Sequence, residues 1–254
     1  MSLKIVQEPV YNQIKNSSSA FDNLTIVGMN ETLTNGTSVV GFNNTNALIQ
    51  YNGLTAVQVV STSTDDTATG IGCQKIRVSG LYSDAGDGNK YKPRIAEFAM
   101  NGTTNVSSTT LGTNSFSIIN KVELIGNGSG NCNQGDISVK KTGTSSLMGF
   151  IKATYSKSHA FFLGVSTNKN LLIKDIHISA FTQTASMIKI YTQSLIIGAR
   201  KLESQILITD TTSHINHQIN LKVPSNHVVY ADISNLEAIN GSNFITMNAS
   251  TLLI

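Results

Sequence analysis

Short apolar segments with an alternating polar pattern dominate this sequence and constrain its fold more than any other feature. They run for about five to nine residues, with Gly, Asn, Asp or Ser-Thr clusters between them, as half-buried antiparallel strands do. The main predicted strands are 55–60, 74–80, 93–100, 116–125, 136–140, 160–165, 171–181, 187–191, 205–209, 217–223, 227–233 and 244–253.

This pattern predicts an all-β fold. So many strands joined by short turns suit an antiparallel β-sandwich, and a single jelly roll is the type in which Greek-key connections join them. The best helical candidate is residues 234–241, where Ser234 could cap, Glu237 could close a capping box and Gly241 could end the turn. Without strand-helix-strand alternation, the parallel α/β folds that bind nucleotide cofactors are not expected.

The first part of the chain differs in its residue pattern: polar, turn-prone tracts surround short apolar segments such as 24–27 and 38–42. We predict two parts: residues 1–53 as an N-terminal arm, and residues 54–254 as the jelly-roll sandwich domain. An arm of this kind gains stability by adding to a neighbour's sheet edge. The alternative is that its strands complete the same sandwich.

The charge content argues against a polyanionic partner. Charged residues make up 13% of the chain, against roughly 25% in ordinary soluble domains. The net charge is only +3, no dense Lys/Arg block occurs and Trp is absent, so no nucleic-acid binding is expected. A surface of neutral hydrogen-bonding groups is poorly protected against self-association, which favours partners that are copies of the chain.

Targeting and redox signals are few. Residues 1–15 lack an apolar signal region and no apolar run is long enough to span a bilayer, so we expect synthesis in a cytosol and no membrane insertion. Cys73 and Cys132 could form one bridge, but two reduced thiols are the preferred interpretation. Cys73 should be buried, and Cys132, in a glycine-rich loop, more reachable.

No motif indicates catalysis or a bound ligand. Gly126–Gly130 and Gly70–Gly72 lack the Lys-Ser/Thr ending of a phosphate loop, and residues 84–89 lack the final acid of a calcium loop. His214 and His217 are three apart, so on a strand they face opposite sides. We therefore expect no catalytic, cofactor-binding or metal-binding residues, no cofactor, no small-molecule substrate and no enzymatic activity.

A series of short motifs follows in a fixed order along residues 53–254. These landmarks are Val59-Val-Ser-Thr-Ser-Thr-Asp-Asp-Thr-Ala-Thr-Gly-Ile-Gly72, Val78-Ser-Gly-Leu81, Met100-Asn-Gly-Thr103, Ser115-Phe116, Lys121-Val122, Gly126–Gly130, Gln134-Gly-Asp-Ile137, Tyr155–Phe162, His217–Pro224 and Phe244–Ile254. In this order they resemble a family of virion-associated jelly-roll β proteins of marine tailed phages and large algal DNA viruses. The sequence departs from the family at Tyr155-Ser156, where the family has a Pro-Ala-Gly turn, and the arm has no counterpart in it.

The resemblance implies a structural protein located in the virion capsid and made in the host cytoplasm. Its partners would be copies of itself, a pentamer among the options, and other capsid proteins. A minor capsid or penton position at a vertex suits a weakly charged surface, because packing around a symmetry axis repeats every like charge. The alternative is a carbohydrate-binding or receptor-binding module of a virion spike or fibre.

Overall fold

The computed structural model describes residues 22–30, 37–39, 54–84, 86, 88, 90–107, 115–158, 160–181, 185–209, 212–236 and 244–254. These residues form seventeen β-strands and no α-helix, and every strand pair is antiparallel. None of them belongs to a helix long and apolar enough to cross a membrane. The predicted all-β antiparallel fold is confirmed. Most of the proposed helical turn, residues 237–241, lies outside the described residues.

The strands vary in length from two to twelve residues. In chain order they are β1 (Asp22–Asn30), β2 (Thr37–Val39), β3 (Thr55–Ser61), β4 (Cys73–Asp84), β5 (Lys90–Ala99), β6 (Val106–Ser107), β7 (Ser115–Phe116), β8 (Ile118–Asn127), β9 (Ile137–Lys141), β10 (Leu147–Ile151), β11 (Phe162–Gly164), β12 (Leu171–Phe181), β13 (Ser186–Ser194), β14 (Arg200–Ile208), β15 (Thr212–Val223), β16 (His227–Asn235) and β17 (Phe244–Leu253).

Nine of these strands form a jelly-roll sandwich. One sheet has the order β1-β17-β12-β15, and the other has β11-β16-β13-β14, with β2 also paired to β16. If β1, β2 and β12–β17 are lettered B to I along the chain, the two sheets read B-I-D-G and C-H-E-F. That is the strand order of a jelly roll made of two Greek keys. Strand β11, the ninth, is an addition on the same edge as β2.

The core of the jelly roll comes from the inner faces of both sheets. Buried and half-buried residues alternate along all of β13, which is the period expected of a strand with one face on a core. Fully buried aliphatic residues from β12 and β17 face those from β13 and β16 across the sandwich. Ile26 of β1 belongs to this core and is 4% exposed.

Strands β3 to β10 form a second sandwich between β2 and β12 in the chain. Its sheets are β10-β9-β3-β6, with β7 also on β3, and β5-β4-β8. It has a separate core, to which β3, β4, β5, β8, β9 and β10 all contribute. We call this unit the inserted sandwich, because the chain before it and after it belongs to the jelly roll.

The structure therefore divides the chain differently from a single core over residues 54–254. The apolar residues of this range separate into two cores, and the jelly roll takes its first two strands from residues 22–39. Strand β1 pairs with β17 over its full length, from Asp22 with Leu253 to Asn30 with Ile245. The described part of residues 1–53 thus follows the alternative in which its strands complete a sandwich.

A third apolar cluster joins the two sandwiches. Leu81, Tyr91 and Ile118 of the inserted sandwich meet Phe162, Leu195, Val228 and Tyr230 of the jelly roll. The Asn120 side chain reinforces this joint: its amide donates to Gly164 O at 3.1 Å and its oxygen accepts from Gly164 N at 2.8 Å. The side chain of Asn120 thereby replaces a strand residue in hydrogen bonding to β11.

Candidate functional site

The loops at one end of the inserted sandwich collect most of the sequence landmarks. Strand β4 meets the jelly roll near Leu81, and its other end begins at Cys73, paired with Asn127 of β8. Eight residues of strand separate the two points, which corresponds to about 26 Å. We call the loops at the Cys73 end, residues 61–73, 100–104 and 127–136, the distal loop cluster.

Asp66 is the centre of this cluster. Its side chain is fully buried. Each of its two carboxylate oxygens accepts two hydrogen bonds. Oδ1 accepts from the backbone N–H groups of Cys73 at 2.7 Å and Gln134 at 2.9 Å. Oδ2 accepts from Ser61 Oγ at 2.6 Å and Gly135 N at 3.0 Å. Four donors compensate the cost of burying a charge, so Asp66 fixes three chain segments relative to one another.

Glycines let the backbones of the cluster approach each other. A Cβ atom at Gly128 would lie 2.1 Å from the carbonyl oxygen of Gly70, and one at Gly72 would lie 2.2 Å from Asp66 Oδ1. The Gly128 and Gly130 N–H groups donate to the carbonyls of Gly72 and Ile71, both at 2.8 Å. The glycine-rich segments therefore serve close packing, and these amides are already used within the chain.

The landmark around Met100 enters the same cluster. Gly102 N donates to Asp66 O at 2.7 Å, Ser61 N donates to Gly102 O at 3.0 Å, and Ala68 N donates to Met100 O at 2.9 Å. Three landmarks that are far apart in the sequence are thus held together by hydrogen bonds. The braced loops present Ile71, which is 52% exposed, at the surface.

The two cysteines lie in and beside this cluster as free thiols, Cys73 buried and Cys132 partly exposed. Burial, with a smaller contribution from the Asp66 carboxylate, raises the pKa of Cys73 to about 12. The reactive thiolate of Cys73 is therefore scarce throughout the neutral pH range.

A maleimide or disulfide reagent should label one thiol in the folded protein, Cys132, at neutral pH. Cys73 should react only after denaturation, because it is both enclosed and protonated. Mass spectrometry of peptides from the native and denatured protein gives the measurement, with the denatured sample as the control for intrinsic reactivity. Rapid labelling of both thiols in the native protein would contradict the buried position of Cys73.

His214 and His217, which the sequence predicts to face opposite sides of a strand, form hydrogen bonds with different residues. His214 Nδ1 lies 3.0 Å from Ser179 Oγ within one sheet, and His217 Nε2 lies 2.9 Å from Ser204 Oγ of the other sheet. Among the described residues, no three His, Cys, Asp or Glu side chains are grouped so that they could hold a metal ion. Residues 85, 87 and 89 of the calcium-like loop lie outside the described part.

The outer face of the β5-β4-β8 sheet carries a ladder of exposed ion pairs. Lys75 Nζ lies 2.5 Å from Glu97 Oε2, and Arg77 lies 3.0 Å from Glu97 and 3.9 Å from Glu123. Hydrogen bonds from Lys75 and then Arg77 lower the pKa of Glu97. Lys121 also pairs with Glu123, so three cations share two carboxylates. Exposed pairs add little stability, but they leave this face with little net charge.

A cluster around Arg200 lies beside the joint between the sandwiches. Its guanidinium carbon lies 3.5 Å from the ring centroid of Tyr191, which stacks on Tyr230 at 5.5 Å. Arg200 NH2 also lies 3.3 Å from Asp232 Oδ2. Burial raises the pKa of Tyr230 to about 12, and burial raises the pKa of Asp232 against the opposing effect of Arg200. Cation-π and ionic contacts thus support the face of β16 that meets the inserted sandwich.

Sequence reasoning missed Asp66 and Arg200. Asp66 stands in an ordinary polar turn of the sequence. The groups that donate hydrogen bonds to its carboxylate belong to residues up to 69 positions away. Arg200 and its nearer ring partner Tyr191 lie on the consecutive strands β14 and β13, but Tyr230 and Asp232 of the same cluster lie on β16, which follows β15 in the chain. Only pairing information between distant positions could have revealed either group.

No known family profile matches the sequence, and no curated protein does so. Among solved structures, the chain is similar to a chain in the structure of infectious bursal disease virus Gt strain, at 12% identity and a TM-score of 0.25, over 92% of this chain and 70% of that chain. The VP2 subviral particle of the same virus gives 12% identity and a TM-score of 0.21 over 92% and 70%. The structure of the Gx strain gives 10% identity and a TM-score of 0.26, over 92% of this chain and 74% of that chain. TM-scores this low do not establish a common fold.

Proposed function

We propose that this chain is a structural protein of a virus capsid, acting by packing with copies of itself and with other capsid proteins. The observation that carries the proposal is the topology: a complete jelly roll whose first two strands are separated from the other six by an inserted sandwich with its own core. One sandwich can then form a shell while the other projects from it. The resemblance of residues 53–254 to virion proteins points to the same role.

The polar surface suits close packing of identical subunits. Few charges are available to repel one another around a symmetry axis, and those of the β5-β4-β8 face are paired within the chain. We further propose a minor capsid or vertex position, with the pentamer as the vertex form, synthesis in the host cytoplasm, and a contribution of residues 1–53 to assembly. This role requires no cofactor, small-molecule substrate or nucleic acid.

A second candidate is recognition of a glycan or receptor by the distal loop cluster. The observation in its favour is the position of the cluster, at the end of the inserted sandwich away from the jelly roll, with Asp66 holding the loops in one arrangement. Prearranged loops bind with a smaller entropy cost than mobile ones. Both candidates use the jelly roll as the structural base.

Light scattering after size exclusion, with electron microscopy of the same fractions, tests the capsid proposal on the full chain. We expect discrete oligomers or closed shells whose mass changes little between about 50 and 500 mM salt, because charged contacts are the ones that salt screens. A pentamer would support the vertex position, and a trimer the spike. A monomer at every concentration would contradict self-assembly.

A further inference from the structure

Strand β15 is an edge strand of a kind that proteins ordinarily protect. Among the described residues it pairs only with β12, so its other side presents backbone groups without a strand partner. From Thr212 to Leu221 it contains no Lys, Arg, Asp or Glu, no proline and no glycine. By contrast, the edge strand β5 of the inserted sandwich has three cations and a proline between Lys90 and Arg94. Charges and prolines are the usual devices against edge-to-edge pairing.

The jelly-roll core is also less covered on this side. Ile215, Ile219 and Leu221 of β15 pack on the core but remain only partly buried. At the opposite edge of the same sheet, Ile26 of β1 is 4% exposed. Like β15, β1 pairs with one strand only among the described residues, but its core-facing Ile26 is covered. The β15 edge is therefore the edge of this sheet at which core-facing side chains remain partly exposed.

A β-bulge limits the part of β15 that could pair with a further strand. Gln218 pairs with Asp175 and Leu221 with Ile173, so two residues of β15 stand opposite one of β12, and Asn220 has a φ of 46°. A bulge bends a strand and ends regular pairing. Residues 212–218 remain as a straight segment of ordinary strand length. His217, hydrogen-bonded to Ser204 of β14, ties this segment to the other sheet.

We propose that residues 212–218 of β15 pair antiparallel with the same residues of a second copy, about a two-fold axis, so that two jelly-roll sheets become one continuous sheet. This inference rests on the proposed self-assembly and specifies one of its contacts. A second copy is the fitting occupant because the segment carries no Lys, Arg, Asp or Glu, and antiparallel self-pairing at neutral pH therefore brings no like charges together. An added strand would also cover the part of Ile215 that remains exposed.

A matched pair of substitutions tests the contact. Asn216 and Asn248 are both exposed, and they lie opposite His177 from its two sides, Asn216 on the edge strand and Asn248 on the interior strand β17. In the paired sheet, the Asn216 residues of the two copies would be diagonal neighbours about 7–8 Å apart. Asn216→Lys should therefore raise the dimer dissociation constant about tenfold or more, and Asn248→Lys should leave it within about twofold.

Sedimentation velocity of the full chain over a dilution series measures the dissociation constants, and thermal unfolding verifies that both variants fold. Equal weakening by both variants, or by neither, would overturn the pairing while leaving self-assembly by other surfaces intact. A wild-type chain that stays monomeric throughout would overturn the pairing together with the proposed self-assembly.

Hydrogen exchange provides a second readout that needs no variant. In the wild type, the amides of residues 212–218 that point away from β12 should lose protection on dilution below the dissociation constant, whereas protection in β1 should not change. Protection of these outward-pointing amides that does not depend on concentration would mean that another part of the same chain covers the edge, and would overturn the proposal.

Discussion

Replacing Asp66 with alanine should lower the free energy of unfolding of the inserted sandwich by about 3–5 kcal/mol. The substitution removes the acceptor of four hydrogen bonds, and it leaves the buried N–H groups of Cys73 and Gly135 and the partly buried N–H of Gln134 without that acceptor. Asp66→Asn should be almost as harmful, because an amide of the same size presents a donor where two donors already point. Urea unfolding of the wild type and variants, followed by circular dichroism, gives the free energies.

Asp65 provides the matched control for this prediction. It is the same residue type, adjacent in the chain and exposed, and its carbonyl rather than its side chain accepts the bond from Gly72 N at 3.0 Å. Asp65→Ala should therefore change the free energy of unfolding by about 0.5 kcal/mol or less, as surface substitutions usually do. Equal effects of the two substitutions would show that Asp66 does not organise the distal loop cluster.

The sequence predicts the strands better than it predicts how they associate. Alternation extends over nearly all of β12 and β17, and the predicted segments 171–181 and 244–253 match Leu171–Phe181 and Phe244–Leu253. The alternation rule does not predict strand β10, because Leu147–Ile151 has four apolar residues around a glycine. Residues on both faces of β10 are buried or partly buried, so its sequence lacks the alternation of polar and apolar residues on which the prediction depends.

Topology and the distal loop cluster depend on pairs of residues that local patterns do not connect. Ile26 lies opposite Ala249, near the other end of the chain, so nothing around Ile26 indicates that it completes a sheet. In the same way, the turn around Asp66 contains no sign that Gln134 is its partner. The short, polar-flanked β1 therefore resembles an independent arm in sequence, although it belongs to the jelly roll in the structure.

The place of β1 in the jelly roll leads to the second large effect, which concerns deletion of residues 1–53. This deletion removes β1 and β2, uncovers the edge of β17 and takes Ile26 out of the core. Total domain stabilities are about 5–15 kcal/mol, so the loss of nine paired residues and a buried isoleucine should prevent the jelly roll from folding cooperatively. The core of the inserted sandwich contains no described residue before Val57 and should remain folded.

Hydrogen exchange with mass spectrometry can follow the two sandwiches separately in the shortened protein. Amides of β12 to β17 should lose their protection, and those of β3, β4 and β8 should keep it. Deletion of residues 1–21 alone is the control, because it leaves β1 in place; this variant should keep both sandwiches and change only those oligomers that depend on the first residues. If deletion of 1–53 leaves β12 to β17 protected, then β1 contributes little to the jelly roll, and residues 1–53 act as the assembly arm that the sequence pattern indicated.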